Sequence, residues 1–230
     1  MELIIKVIIP AFNEEASIGK VISEIPKNIT EVIVVNNNST DSTGMVAQNS
    51  GATVLEEKRK GYGYACLKGM EYIASQEILP DIVVFLDGDY SDYPSEMDTL
   101  LKPILKDNID FVVGARVKKW REEGSMTLPQ IFGNWLATNL MRLMFRAKFT
   151  DLGPFRAIKY QKLLDLEMQD KTYGWTVEMQ LKAIKQKLSY VEIPVHYKNR
   201  IGVSKVSGTI KGAIFAGIKI LGWIFKYSFK

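Results

Sequence analysis

The chain holds one cysteine, Cys66, and one histidine, His196, among 230 residues. A lone cysteine excludes an internal disulfide and points to a reducing, cytosolic setting. A lone histidine argues against a zinc centre built on imidazoles. No stretch offers the roughly 18 uninterrupted apolar residues of a spanning helix. The opening "MELIIKVIIPAFNEE" reads too short, and too interrupted by Lys6, for a signal peptide. A strong charge imbalance is lacking too: 30 Lys and Arg stand against 26 Asp and Glu, a formal net charge of +4. That is not the concentrated basic face of a nucleic-acid binder. Neither an internal repeat nor a low-complexity linker is visible. What is present, 47% hydrophobic and 24% charged residues, is the balance of a globular protein with ample material for a core.

The first half alternates apolar runs with helical stretches. The runs "LIIKVIIP" (3–10), "EVIVV" (31–35), "ATVLE" (52–56), "DIVVFL" (81–86) and "DFVVGA" (110–115) are rich in β-branched residues and lack strict alternation. Such runs suit strands covered on both faces. Helices are expected between them, over 14–25, 40–50, 62–76 and 94–106. The repeated β-α pattern predicts an open, doubly wound α/β sheet, mostly parallel, which binds ligands beyond the carboxyl ends of its strands. The polar motifs "AFNEE", "NNNSTDST" and "DGDYSD" all fall at such ends. In the second half a long helix is predicted over 128–145, then a strand at "FRAIKY", a helix at "WTVEMQLKAIKQ" and a strand at "LSYVEIPVHY". The division expected is one domain over 1–208, with a ligand-binding half (1–115) and an acceptor-side half (116–208), followed by a tail helix over 209–230.

Asp87 and Asp89 leave a buried strand with only Gly88 between them, where like charges repel. A cation between them resolves the conflict, and hard oxygen ligands suit magnesium or manganese. The plain alternative is a solvated loop with Asx turns. Arg116 in "GAR" follows another strand end. Ser39 also reads as a helix N-cap, with Ser42 three residues on.

Eight motifs in order, over nearly the whole chain, resemble family 2 glycosyltransferases of the GT-A (Rossmann-like) fold, within the group of dolichyl-phosphate mannose and glucose synthases. They are "VIIPAFNEEASIGKVI", "EVIVVNNNSTDST", "KGYGYACLKGM", "LDGDYSDYPSEM", "GAR", "TDLGPFRAIKY", "YGWTVEMQLKA" and "EIPVHYKNRIGVSKVSGT". The resemblance implies inverting transfer of a sugar from a nucleotide-diphosphate donor with Mg²⁺ or Mn²⁺. It implies that Pro10, Ala11, Phe12 and Glu14 hold base and ribose, and that Asn36, Asn37 and Asn38 stand where the family has acids on the base. Lys60 and Gly61, with Gly63, would serve base or phosphate. Asp87, Gly88 and Asp89 would form the metal and ribose turn, and Arg116 would reach a phosphate. Arg200, Lys205 and Ser207 resemble a loop that closes over the diphosphate. Ser91 replaces a glutamine common in the group, which leaves a third metal ligand unassigned.

Two acceptors remain open. A lipid phosphate already carries a nucleophilic oxyanion, since its second pKa is about 6. A hydroxyl of a small molecule or glycan needs a base, and Glu178 in "YGWTVEMQ" stands where many members keep a catalytic acid residue. Asp151 in "TDLGPF" reads as a turn cap. Arg142 and Arg146 fall four apart on the long helix, on one face. In the tail, Lys211, Lys219 and Lys226 fall within an arc of roughly 80°, with Trp223, Tyr227 and Phe229 near the end. That pattern predicts an interfacial helix, or else a terminal helix packed on the domain. The expectation is a hexosyltransferase using a UDP- or GDP-sugar and a polyprenyl or dolichyl phosphate, peripheral on the cytosolic membrane face, with homo-oligomerisation left open. The rival from another class is a non-catalytic sugar-nucleotide-binding scaffold.

Overall fold

The computed structural model describes residues 3–202 and 210–228. Seven strands, β1 (Ile5–Ala11), β2 (Glu31–Asn36), β3 (Thr53–Glu56), β4 (Ile82–Phe85), β5 (Phe111–Ala115), β6 (Arg156–Lys159) and β7 (Tyr190–Pro194), form one sheet in the order β3-β2-β1-β4-β6-β5-β7. All neighbours pair in parallel except β6, which runs antiparallel to both β4 and β5. The unbroken apolar runs are explained by burial of both faces. Ile8, Val83 and Phe111 point into one core, and Val7, Val84 and Val112 into the other.

The helices are α1 (Ile18–Ser23), α2 (Thr43–Asn49), α3 (Tyr62–Ala74), α4 (Met97–Asp107), α5 (Leu128–Phe145), α6 (Tyr160–Asp165), α7 (Trp175–Lys185) and α8 (Ile210–Ser228). α1, α2 and α4 cover one face of the sheet; α3, α6 and α7 cover the other. Outside that second layer, α8 lies against both α5 and α7. α5 begins where the sequence predicts because Thr127 and Gln130 form a reciprocal capping box around Pro129 in the first turn.

Two local expectations are corrected. Helix α2 starts at Thr43, not at Ser39, because the Ser39 hydroxyl accepts the Asn13 N–H at 3.0 Å and is held by the loop after β1. Arg146 does not share a helical face with Arg142: it ends α5 in the left-handed region, at φ 55°. Helix α8 packs on the domain, one of the two arrangements expected of the tail, and its lysine edge is partly engaged there. Lys219 Nζ lies 3.3 Å from buried Asp170, which also accepts from Trp223 Nε1 at 2.6 Å, and Lys226 sits over the Trp223 ring. Phe215, Ile218 and Phe225 turn outward instead. The Lys211 side chain and Phe229 lie outside what is described. No helix of the described residues is long and apolar enough to cross a membrane.

Candidate active site

The carboxyl ends of β1, β2, β4 and β5 open into a cleft of about 570 Å³. From β1 the chain proceeds outward to β2 and β3, whereas β4 leads to the other half of the sheet. The cleft therefore lies at the topological switch point, where strand ends splay loops apart.

Asp87 and Asp89 stand at its floor on the turn after β4. Asp87 Oδ1 is buried and accepts no hydrogen bond. Burial, then the Asp89 charge, pushes the Asp87 carboxyl up to about 7. Asp89 is almost fully engaged: Oδ1 accepts the Ser91 N–H at 2.9 Å and the Ser91 hydroxyl, while Oδ2 lies 3.1 Å from Arg200 Nη1. Ser91 thus supports Asp89. Asp92, which the sequence reading passed over, is buried nearby with neither carboxylate oxygen hydrogen-bonded. Burial, then the charges of Asp87 and Asp89, pushes its carboxyl well up. Among the described residues no three His, Cys, Asp or Glu side chains are grouped to hold an ion by themselves. Two aspartates, one with an orphaned buried oxygen, fit a hard cation that completes its shell with phosphate oxygens and waters.

On the nucleotide side, Pro10, Ala11, Phe12, Glu14, Asn37, Lys60, Gly61 and Gly88 line the cleft. Lys60 Nζ stands 5.4 Å above the Phe12 ring. The asparagines act mostly on the protein itself. Asn37 Nδ2 donates to the carbonyls of Glu57 (3.1 Å) and Arg59 (2.7 Å), and its Oδ1 accepts the Gly61 N–H (2.8 Å). It thereby staples the loop between β3 and α3. Asn36 does not line the cleft; its amide donates to Glu56.

The glycines of "KGYGYA" serve a different contact from the expected anion. A Cβ at Gly61 would lie 2.3 Å from the Lys171 carbonyl, and one at Gly63 2.1 Å from that of Asp170. The N–H groups of Gly63 and Tyr64 donate to the carbonyls of Thr172 and Lys171. The first turn of α3 is therefore capped by the 170–172 segment, and these donors are spent.

Glu178 belongs to that same clasp. It is fully buried: Oε1 accepts the Gln169 N–H at 2.9 Å, Oε2 the Asp170 N–H at 2.7 Å, and Lys182 Nζ pairs with Oε1 at 2.8 Å. It does not line the cleft. Both oxygens are engaged in holding backbone, so the geometry gives Glu178 a positioning task, not that of the base which a hydroxyl acceptor would need.

Arg116 lines the cleft and is fixed by Asp151, whose carboxylate accepts from Nε at 2.8 Å, Nη2 at 2.7 Å and the Arg116 N–H at 2.8 Å. Burial opposes the Asp151 charge, but the Arg116 guanidinium holds its carboxyl below the usual range. Asp151 is an arginine anchor, not a turn cap. Arg156, wholly buried, donates to the carbonyls of Leu152, Gly153 and Thr176 and so shapes the loop carrying Asp151. Arg200 Nη2 donates to Glu14 Oε1 at 2.9 Å. Lys205 and Ser207 lie outside the described residues. Away from the strand ends the cleft has a mostly apolar roof: Pro129, Gly133 and Leu136 of α5, with the polar Gln130 and Asn134, and Gly217, Ile220 and Leu221 of α8. Beyond this roof α5 exposes Phe132 (61%) and Trp135 (57%), and α8 exposes Ile218 (63%).

The sequence model of glycosyl transferase family 2 matches residues 6–166. A glycosyltransferase of Mycobacterium tuberculosis, itself uncharacterised, is 33% identical over 215 residues, 92% of this chain and 94% of its own. A dolichyl-phosphate hexose transferase of Haloferax volcanii is 28% identical over 214 residues, 90% of this chain and 88% of its own. Among solved structures, glucosyl-3-phosphoglycerate synthase from M. tuberculosis, in complex with Mn²⁺, UDP-glucose and phosphoglyceric acid, superposes with a TM-score of 0.77 at 21% identity, covering 98% of this chain and 80% of that one. That likeness establishes the GT-A fold. The chain belongs to glycosyl transferase family 2 and is a glycosyltransferase.

Proposed function

We propose that the enzyme transfers a hexose, with inversion, from a UDP- or GDP-sugar to a polyprenyl phosphate at a membrane surface. The observation that carries this reading is the two-sided cleft: a floor with Asp87, Asp89, Arg116 and Arg200 beneath an apolar roof of α5 and α8. A small polar acceptor has no use for that roof, whereas a lipid phosphate would place its head beside Arg116 and its chain along the helices. The exposed aromatics of α5 and α8 suit the membrane interface, where such rings settle. The dolichyl-phosphate hexose transferase among the relatives points the same way.

In this reading Pro10, Ala11, Phe12, Glu14 and Lys60 hold the nucleotide, Asn37 braces the loop that carries Lys60, and Asp87 and Asp89 hold Mg²⁺ or Mn²⁺. Such a cation neutralises charge on the departing diphosphate. Asp89 keeps its oxygens aimed through Ser91, and Arg116 stays fixed by Asp151 while it positions phosphate. An acceptor phosphate oxygen bonds to the anomeric carbon from the face opposite the leaving group. The bond from that carbon to the β-phosphate oxygen breaks, and nucleoside diphosphate departs. No proton needs removal, because the acceptor oxygen is already ionised near neutral pH, with a second pKa of about 6. The burial of Glu178 away from the cleft favours this acceptor over a hydroxyl.

The test is an acceptor panel with UDP- and GDP-hexoses and Mn²⁺: polyprenyl phosphate in vesicles, 3-phosphoglycerate, and an oligosaccharide. A lipid-linked hexose by mass spectrometry is expected. Transfer to 3-phosphoglycerate or to the oligosaccharide alone would overturn the proposed acceptor.

A further inference from the structure

Arg200 bridges two acids that belong to different parts of the site. One terminal nitrogen, Nη1, pairs with Asp89 Oδ2 at 3.1 Å; the other, Nη2, pairs with Glu14 Oε1 at 2.9 Å. Its Nε is buried without a hydrogen-bond partner. The chain on either side is tied to the aspartate turn, with the Ile201 N–H on the Asp89 carbonyl at 3.0 Å and the Lys198 N–H on that of Ser91 at 2.9 Å. The guanidinium therefore rests against the very oxygen that an ion between Asp87 and Asp89 would use. The second Asp89 oxygen is already taken by Ser91, so the ion cannot avoid the conflict by turning to it.

We propose that Arg200 is a resident counter-cation of Asp89, displaced by the donor's diphosphate, so that metal and donor bind with strong mutual dependence. The idea rests on the glycosyl-donor reading above. In the donor-free enzyme, one carboxylate of the metal pair is neutralised by a fixed positive group, and an arriving divalent ion meets like charge. A diphosphate offers the planar guanidinium fork an equally suitable bidentate partner. Once Arg200 turns to the phosphates, Asp89 Oδ2 is released, and the phosphates add further oxygens for the ion. Linkage makes the effect reciprocal: whatever factor the diphosphate adds to metal affinity, the metal adds to diphosphate affinity.

The proposal makes a counter-intuitive prediction for an active-site arginine. Mn²⁺ binding to the full chain would be followed by the electron paramagnetic resonance signal of the free ion. Wild type, Arg200→Gln and Arg200→Lys would each be titrated with Mn²⁺ alone and with UDP, GDP or inorganic pyrophosphate present. Wild type should bind Mn²⁺ alone weakly, and more tightly with a diphosphate, by about tenfold or more, within the usual range of coupling between sites. Arg200→Gln should bind Mn²⁺ alone about tenfold more tightly than wild type, and the diphosphate should add correspondingly less. Arg200→Lys, which keeps the charge, should stay weak for Mn²⁺ alone; it guards against attributing the gain to a loosened fold. If Arg200→Gln binds Mn²⁺ alone no better than wild type while wild type still binds Mn²⁺ with a diphosphate, Arg200 is not a competitor and the proposal is overturned, leaving the donor reading intact. If wild type binds no Mn²⁺ with any of the three diphosphates, the donor reading fails and takes the proposal with it.

Discussion

Changing Glu178 to glutamine separates two accounts of the same residue. In the structure its carboxylate accepts two backbone N–H groups, from Gln169 and Asp170, and pairs with Lys182, with no exposure to solvent. An amide presents one acceptor oxygen and turns an NH₂ toward a donor. One backbone N–H loses its partner, and buried Lys182 loses its counter-charge, keeping only the Glu167 carbonyl. Breaking a buried pair costs about 3 kcal/mol or more. For a chain of this size each kcal/mol lowers Tm by about 2–4 °C, so a fall of about 6–12 °C is expected. Activity measured well below the new Tm should stay within about tenfold of wild type, because the lost group sits behind the cleft. A general base behaves in the opposite way: its removal costs about 10²- to 10⁴-fold in rate and little stability. Differential scanning calorimetry with initial rates at low temperature distinguishes the two. A kcat reduced a thousandfold with an unmoved Tm would refute the reasoning and restore the hydroxyl-acceptor reading.

Other perturbations follow from the same geometry. Asp151→Asn loosens the anchor of Arg116 and should lower kcat/KM by about tenfold, less than the roughly 10²- to 10³-fold cost of removing a positioned donor outright, with a rise in KM for donor or acceptor read from steady-state kinetics. Gly63→Ala should destabilise the fold by about 1–3 kcal/mol in urea unfolding, because its new methyl meets the Asp170 carbonyl at 2.1 Å. For pH, the sign follows from a raised acid: Asp87, up to about 7, is charged above that value and protonated below it. Mn²⁺ affinity in the presence of UDP should therefore be full at alkaline pH and fall about tenfold per unit below about pH 7, as a proton competes for one ligand; a flat profile from pH 6 to 8, two conditions set about one unit either side, would contradict it. Replacing Phe132 and Trp135 by serine should cut sedimentation with polyprenyl-phosphate vesicles by about tenfold while leaving Tm within about 2 °C, since both rings are exposed.

The sheet was legible because burial on both faces leaves unbroken β-branched runs, and because each polar motif sits where a strand stops. The insertion of antiparallel β6 between β4 and β5 was not: strand order depends on which edge a later segment finds, and "FRAIKY" carries no mark of that choice. Within the site, Asp87, Asp89, Arg116 and Arg200 converge on one cleft as their motifs imply. What escaped was the use of side chains on the protein itself. Asn37 reads as a base contact until its amide is found holding the loop at Glu57 and Arg59. Gly63 reads as an anion cradle until the Asp170 carbonyl is found against it. Glu178 reads as a candidate base until the backbone N–H groups of Gln169 and Asp170, 9 and 8 residues before it, claim both of its oxygens. The partners of Asn37 and Gly63 lie 20 or more residues away, and those of Glu178 lie just outside its motif; a short motif records only that a polar or small residue is required. Asp92 closes the motif "DGDYSD" without a role read from it; its burial without a hydrogen-bond partner is visible only once β4 and the 195–202 segment are assembled.

The most direct test of the central claim is anomalous diffraction at the manganese edge from crystals grown with Mn²⁺ and UDP or GDP. The account predicts one strong peak bonded to oxygens of Asp87 or Asp89 and to the diphosphate, with the Arg200 guanidinium moved from Asp89 onto phosphate. Well-ordered nucleotide in the cleft with no ion beside either aspartate would contradict it.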